Sequence, residues 1–265
     1  MKRLDQWLVE GGYYPSRERA RLAIMAGEVE IEGKGSVLKA GTRLEPRDRV
    51  IVKSKARFVS RGGDKLDGVL ERWGIDVSGR KVLDVGASTG GFTHCLLTRG
   101  ASQVICLDVG RGQLHWDLRR DERVTVMEGV NARFLRPEDL PYVPDMIVAD
   151  LSFISLRLVL PVISEVLRDG GELITLVKPQ FEAGRGKVGK KGIVRDPEVH
   201  TEVLTIVLAA ASQQGFALME IAPSPLKGAD GNTEFFARWV KSEHRGEIDL
   251  AARCEEAVEE AWGPR

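Results

Sequence analysis

Three cysteines in 265 residues, Cys95, Cys106 and Cys254, are too few and too scattered for a disulfide framework or a zinc site. That usage predicts a reducing, cytoplasmic setting and no metal. No apolar run is long enough to cross a bilayer. Runs such as Val104-Ile105-Cys106-Leu107 and Leu173-Ile174-Thr175-Leu176-Val177 have strand length. The start, Met1-Lys2-Arg3-Leu4-Asp5-Gln6, meets an acid before any apolar stretch, which predicts no signal peptide. Net charge is also missing, with 39 basic residues against 39 acidic ones. The apolar fraction of 43% is ordinary for a globular chain, which excludes disordered and collagen-like classes.

The zero balance hides a division. Residues 1–65 hold 15 Lys and Arg against 9 Asp and Glu, and the remaining residues hold 24 against 30. A basic head on an acidic body points to an anionic partner for the head. Leu4, Trp7 and Leu8 have helical spacing, stopped by Gly11-Gly12. Pro15-Ser16 starts a second helix over residues 17–25, and Gly27 caps it. Short strands follow at residues 29–34 and 49–53. Arg17 and Arg21 share a helix face, with Arg19 beside them, a stripe suited to phosphates. These elements predict a small α+β module over residues 1–53, then a linker over residues 54–59.

From residue 60 to 265 strands and helices alternate. Strands are expected at 81–85, 103–108, 124–127, 145–149 and 172–177. Helices are expected at 92–97, 113–120, 156–167 and 198–213. Two consecutive strands, 216–221 and 235–240, come before an acidic amphipathic helix at 248–262. Repeated β-α units imply a parallel sheet covered on both faces. The final pair implies an antiparallel edge. The expected fold class is therefore α/β, and the sheet of seven strands with its antiparallel edge resembles that of the Rossmann-like class I methyltransferases, behind a small α+β head.

Asp84-Val85-Gly86-Ala87-Ser88-Thr89-Gly90-Gly91 is a glycine turn after a strand. Its spacing is not the dinucleotide one, and Phe92 stands where a P-loop needs lysine. S-adenosylmethionine needs no phosphate cradle. It needs the close backbone approach that glycine permits. Gly86, Ala87, Ser88 and Gly90 would supply that approach, with Asp84 near the ammonium. Asp108 would accept the ribose hydroxyls, Val109 would lie along the adenine, and Asn131 would take its amine. A second glycine stretch carries Arg185, Lys187, Lys190 and Lys191, a basic loop seven residues past Lys178 where an RNA backbone could lie.

Methylases of exocyclic base amines carry Asn/Asp-Pro-Pro-Tyr/Phe at the end of the fourth strand. This chain carries Asp150-Leu151-Ser152-Phe153. Cytosine C5 methylases need a cysteine at a strand end, and none of the three is so placed. A hydroxyl acceptor needs a neighbour to orient it and take its proton, and a partly buried lysine can do this. Lys65, Asp150, Lys178 and Glu234 meet that need, three of them at ends of strand patterns.

In this set and its order the chain resembles the FtsJ-like ribose 2′-O-methyltransferases. The resemblance implies that Lys178 is the proton acceptor or steering group, that Asp150 holds it, and that Lys65 and Glu234 orient the ribose. The head resembles the ribosomal-protein S-four-type RNA-binding domain through Gly27-Glu28-Val29-Glu30-Ile31-Glu32-Gly33. Domain order, Ser60-Arg61-Gly62-Gly63, Asp150-Leu151-Ser152-Phe153-Ile154-Ser155 and Lys178-Pro179-Gln180-Phe181-Glu182 resemble the TlyA family almost end to end. That family implies methylation of cytidine 2′-OH in 16S RNA, 23S RNA or both, by a monomer acting on ribosomal subunits. A non-catalytic RNA-binding or assembly factor and a membrane-lytic haemolysin are the alternatives.

Overall fold

The computed structural model describes residues 2–25, 28–33, 39–52, 57–184, 186–189, 192–228, 230–242 and 248–263. It divides into two compact units, Met1–Arg57 and Phe58–Arg265.

In the smaller unit, α1 (Leu4–Glu10) and α2 (Arg17–Met25) pack with an antiparallel ribbon of β1 (Val29–Ile31) and β2 (Val50–Val52). Leu4 and Leu8, and Ala20 and Ile24, are pairs one helical turn apart, and both pairs point into its core. Asp5 is buried at the edge of that core, with Arg3 at 3.0 Å and Arg17 at 2.9 Å. The Arg3 hydrogen bond leads in holding its carboxyl down at about 2. Arg17 thus differs from its expected part in the phosphate-facing stripe, because its guanidinium is committed to a buried carboxylate. Arg19 and Arg21 are exposed.

The larger unit is built on a seven-stranded sheet. Its strands are β3 (Lys81–Val85), β4 (Gln103–Asp108), β5 (Val124–Glu128), β6 (Met146–Ala149), β7 (Glu172–Val177), β8 (Phe216–Pro223) and β9 (Phe235–Lys241). They lie in the order β5-β4-β3-β6-β7-β9-β8. The first five are parallel, and β9 runs antiparallel to both β7 and β8. Both faces are apolar because both are covered. Leu83 and Val85 face one core, together with α6 (Leu160–Val166), α8 (Pro197–Gln213) and α9 (Leu250–Trp262). Val82 faces the other, with α3 (Arg61–Arg72), α4 (Gly91–Thr98) and α5 (Trp116–Arg119). Trp239, the largest fully buried side chain, satisfies its indole N–H on Thr175 Oγ1 at 3.2 Å.

The topology gathers the strand ends. Val85, Asp108, Ala149 and Val177 close parallel strands on one edge. Because β9 is reversed, Phe235 pairs with Val177, so Glu234 enters at that same edge. This is the edge where open α/β sheets hold ligands.

Three expectations are corrected. The helix expected at 113–120 is only Trp116–Arg119, because His115 leaves helical geometry at ψ 139° as the N-cap and gives its N–H to Thr89 O at 3.1 Å, while Gly112, Gln113 and Leu114 donate to the Glu128 carboxylate. The helix expected at 156–167 is a 3₁₀ turn, Leu156–Leu158, followed by α6, which starts at Leu160 with Pro161 in its first turn. The linker is shorter than expected. Phe58 is buried in the larger unit, edge-on to His94, and Val59 N–H donates to His94 Nδ1 at 3.2 Å.

A helix not foreseen, α3, carries Lys65. Its glycines mark close packing rather than a loop. A Cβ on Gly63 would lie 2.4 Å from the Phe58 ring, and one on Gly91 would lie 2.9 Å from Gly63 N. The turn α7 (Pro179–Glu182) was also unforeseen.

Candidate active site

Two cavities open at the strand-end edge. The first, of about 510 Å³, is lined by Gly86, Ser88, Asp108, Val109, Gln113 and Asn131, and beyond them by Asp150 and residues 151–154. The second, of about 500 Å³, is lined by Ser60, Arg61, Lys65, Ala87, Gly91 and Phe92, among others. Gly86, Ser88 and Asp150 line both.

Gly86 sits at φ +85°, and a Cβ there would fall 2.5 Å from the carbonyl oxygen of Asp150. Only glycine lets the β3 turn pass this close to the end of β6. Asp108 at the tip of β4 accepts from Ser88 N at 2.8 Å and Gly110 N at 2.7 Å, which aims its carboxylate along the cavity wall. Asn131 Oδ1 accepts from Arg133 N at 3.1 Å and caps a 3₁₀ turn. Val109 is 70% exposed on the rim.

Two expected contacts lie elsewhere. Gly90 is not on either wall. It starts α4 at φ +92°, and a Cβ there would strike Leu118 and Leu114. Asp84 is fully buried and absent from both walls. Strand alternation turns it away from the Leu83–Val85 face toward α4, where Oδ2 accepts from Thr93 N at 3.0 Å and Thr93 Oγ1 at 2.7 Å. It ties the glycine turn to its helix. This replaces the direct ammonium contact expected for it.

Burial pushes the Asp84 carboxyl up to about 7, against the Thr93 hydrogen bonds and with added repulsion from Asp150 and Asp108. An acid whose folded value lies above its ordinary 3.8 favours folding at low pH. Its contribution is greatest below 3.8, falls as pH rises toward 7, and levels off above. Urea unfolding of the wild type from pH 4 to 8 is expected to show that decline, and Asp84→Asn to flatten it. Parallel curves for the two proteins would refute this.

The four charged residues form two ion pairs. Lys178 Nζ lies 2.6 Å from Asp150 Oδ1 and donates to Ser152 Oγ at 2.9 Å. Lys65 Nζ donates to Glu234 Oε2 at 2.5 Å, deep in the protein. One member of each pair, Lys65 and Asp150, lines the smaller cavity. Lys178 stands at the end of β7, directly before the α7 turn.

Several neighbours escaped the sequence reading. Ser152 holds Lys178, Gln180 Nε2 donates to Glu234 Oε1 at 3.3 Å, and Gln113 accepts from Ser88 Oγ at 3.4 Å. Asn232, 1% exposed, accepts from Val194 N at 2.9 Å and so fastens the segment leading to Glu234. The one legible signal for these was adjacency to the charged residues. Phe153 adopts φ +65° at the cavity rim, with its ring 5.2 Å from Phe181. Of the basic loop, Arg185, Lys190 and Lys191 lie outside the described residues. Lys187 is ion-paired with Glu202 on α8. Among the described residues no group of His, Cys, Asp or Glu could hold a metal ion, and no helix is long and apolar enough to cross a membrane.

A family model described as FtsJ-like methyltransferase matches residues 58–240. The chain belongs to that family. A second model, the S4 domain, matches residues 2–50, so an S4 domain stands before the FtsJ-like domain. YqxC of Bacillus subtilis, named as a candidate rRNA methyltransferase, is 44% identical over 98% of this chain and 94% of its own. TlyA of Mycobacterium tuberculosis, named 16S/23S rRNA (cytidine-2′-O)-methyltransferase, is 44% identical over 91% of this chain and 90% of its own. A solved structure from Streptococcus thermophilus, named as a candidate hemolysin, superimposes with a TM-score of 0.77 at 40% identity, covering 98% of this chain and 95% of that one. This FtsJ-like chain is thus similar to its relatives across both units.

Proposed function

We propose that this chain transfers the methyl group of S-adenosylmethionine to the 2′-OH of a cytidine in ribosomal RNA, of the small subunit, the large subunit or both. The observation that carries the reading is the Lys178–Asp150 pair, set beside the Gly86 turn that both cavities share. The relative named as a cytidine-2′-O-methyltransferase supplies the acceptor class.

The larger cavity suits the cofactor. Gly86 allows backbone approach, Asp108 offers carboxylate oxygens to a ribose, and Val109 and Asn131 would flank the adenine. When bound, S-adenosylmethionine supplies a sulfonium-activated methyl group, and its positive charge disappears on transfer. Lys178 Nζ, ion-paired with Asp150 and donating to Ser152 Oγ, keeps N–H capacity for an acceptor hydroxyl. As an amine it takes the hydroxyl proton, and as an ammonium it orients the oxygen. Asp150 fixes Nζ in either form. Lys65 and Glu234 neutralise one another and present a polar wall to the ribose.

The smaller unit would bring structured RNA to this pocket as a monomer in the cytoplasm, with Arg19, Arg21 and the basic loop on the phosphates. A double Arg19→Ala, Arg21→Ala variant is expected to lower the slope of log affinity against log salt by about 1.5. Filter binding to ribosomal RNA at several salt concentrations measures it, and an unchanged slope removes these arginines from the interface. The activity itself is tested with labelled cofactor on ribosomal subunits and bare ribosomal RNA, followed by mapping of ribose methylation. Methyl incorporation at a cytidine ribose is expected. RNA binding with no incorporation on any subunit would favour a non-catalytic assembly role instead.

A further inference from the structure

Lys178 is followed at once by the isolated turn α7, and two polar side chains of that turn reach different parts of the site. Gln180 Nε2 donates to Glu234 Oε1, the carboxylate oxygen that Lys65 does not use. An ionised carboxylate only accepts, so the amide must present its nitrogen here. The amide oxygen is left buried with no donor among the described residues. Packing alone does not recover the cost of burying such an oxygen, so the contact to Glu234 asks for a reason beyond stability.

Glu182 reaches the segment after β6. Its Oε2 accepts from Ser155 Oγ at 2.6 Å, its Oε1 accepts from Leu156 N at 2.7 Å, and Arg157 lies 3.5 Å away. That segment begins at Asp150 and includes Ser152, Phe153 and Ile154, which line the larger cavity. Pro179 opens the turn with its φ set by the ring. One rigid turn therefore joins Lys178 to the Lys65–Glu234 pair through Gln180, and to the Asp150 segment through Glu182.

We propose that α7 is a spacing device, in which Gln180 and Glu182 are positioning residues that hold the two ion pairs in register around the smaller cavity. The inference rests on the ribose-methylation reading above. Gln180 sets Glu234, and so Lys65, against the acceptor. Glu182 sets the cavity wall against the cofactor. The two arms predict different kinetic defects.

The test uses the full chain, S-adenosylmethionine and ribosomal RNA. Gln180→Ala is expected to lower kcat about tenfold, with KM for the cofactor within about twofold of wild type. Glu182→Gln is expected to do the reverse, raising KM for the cofactor about tenfold with a smaller change in kcat. Thermal melting checks that each variant folds. Gln180→Glu gives a readout that a merely structural residue would not move. At high pH its carboxylate meets that of Glu234 beside Lys65, and the two repel. As pH falls the introduced carboxyl takes a proton, and its O–H restores the donated hydrogen bond. The activity of Gln180→Glu relative to wild type is therefore expected to rise about tenfold from pH 8 to pH 6. Gln180→Ala at wild-type kcat, or a pH-independent ratio for Gln180→Glu, overturns the spacing role. Wild type and Lys178→Ala run alongside separate the two readings. An inactive wild type sinks the methylation reading itself, and this inference with it. An active wild type with an inactive Lys178→Ala leaves only the spacing role at stake.

Discussion

Lys178→Ala is expected to lower methyl transfer to ribosomal RNA about 10³-fold while leaving the affinity for S-adenosylmethionine near that of wild type. The side chain does not line the larger cavity, so its loss leaves that wall intact. What disappears is the nitrogen held by Asp150 and Ser152 at the end of β7. Asp150 is then left without its cation, which adds local repulsion toward Asp108 and Asp84. Single-turnover kinetics with labelled cofactor, and calorimetry of cofactor binding, separate the two effects. A variant that keeps wild-type turnover would remove Lys178 from the chemistry. Lys178→Arg is expected to recover little, because a planar guanidinium cannot give up its proton and does not fit the same two acceptors.

Gly86→Ala is expected to damage folding and binding together. The added methyl would meet the Asp150 carbonyl oxygen at 2.5 Å and its carbon at 3.1 Å, both backbone atoms that cannot swing aside. The residue also holds φ +85°, where an L side chain costs about 1–2 kcal/mol before any clash. Relief must come from moving either the β3 turn or the end of β6, and both form walls of the two cavities. A loss of about 2–4 kcal/mol in unfolding free energy is expected, within the range for strained and overpacked sites. Affinity for the cofactor should fall at least about tenfold, since that is only 1.4 kcal/mol of binding. Urea unfolding and calorimetry measure the two losses. A variant with unchanged affinity would show that the turn does not shape the binding cavity.

The parallel strands were legible because each is a short apolar run ended by glycine or a charged residue, as at Lys81–Val85 before Gly86 and Glu172–Val177 before Lys178. The helices α1 and α2 were legible because the Gly11-Gly12 stop of the first and the Pro15-Ser16 start of the second are local signals. Helix α3 was not. Its adjacent glycines, Gly62 and Gly63, are poor helix formers by themselves, and the close approach of Phe58 and α4 explains them. The length of α5 was not legible either, because contacts from elsewhere in the chain, His115 N–H to Thr89 O and Glu128 to residues 112–114, hold the preceding segment outside helical geometry. Asp84 showed the same limit. Its place in a motif suggested a ligand contact, while strand alternation sent its side chain into the core.

The sequence by itself determined which side chains could do the chemistry, because residue type and the ends of periodic segments are local properties. Lys178, Asp150 and Glu234 stood out there. The tertiary structure alone decided how they pair. Lys65 and Glu234 are 169 positions apart and meet only because β9 runs backwards between β7 and β8, bringing its first residue level with the last residue of β7. Ion pairs of this kind depend on distances of a few ångströms. Those distances are set by strand register and helix packing across the whole sheet, and no stretch of sequence contains them.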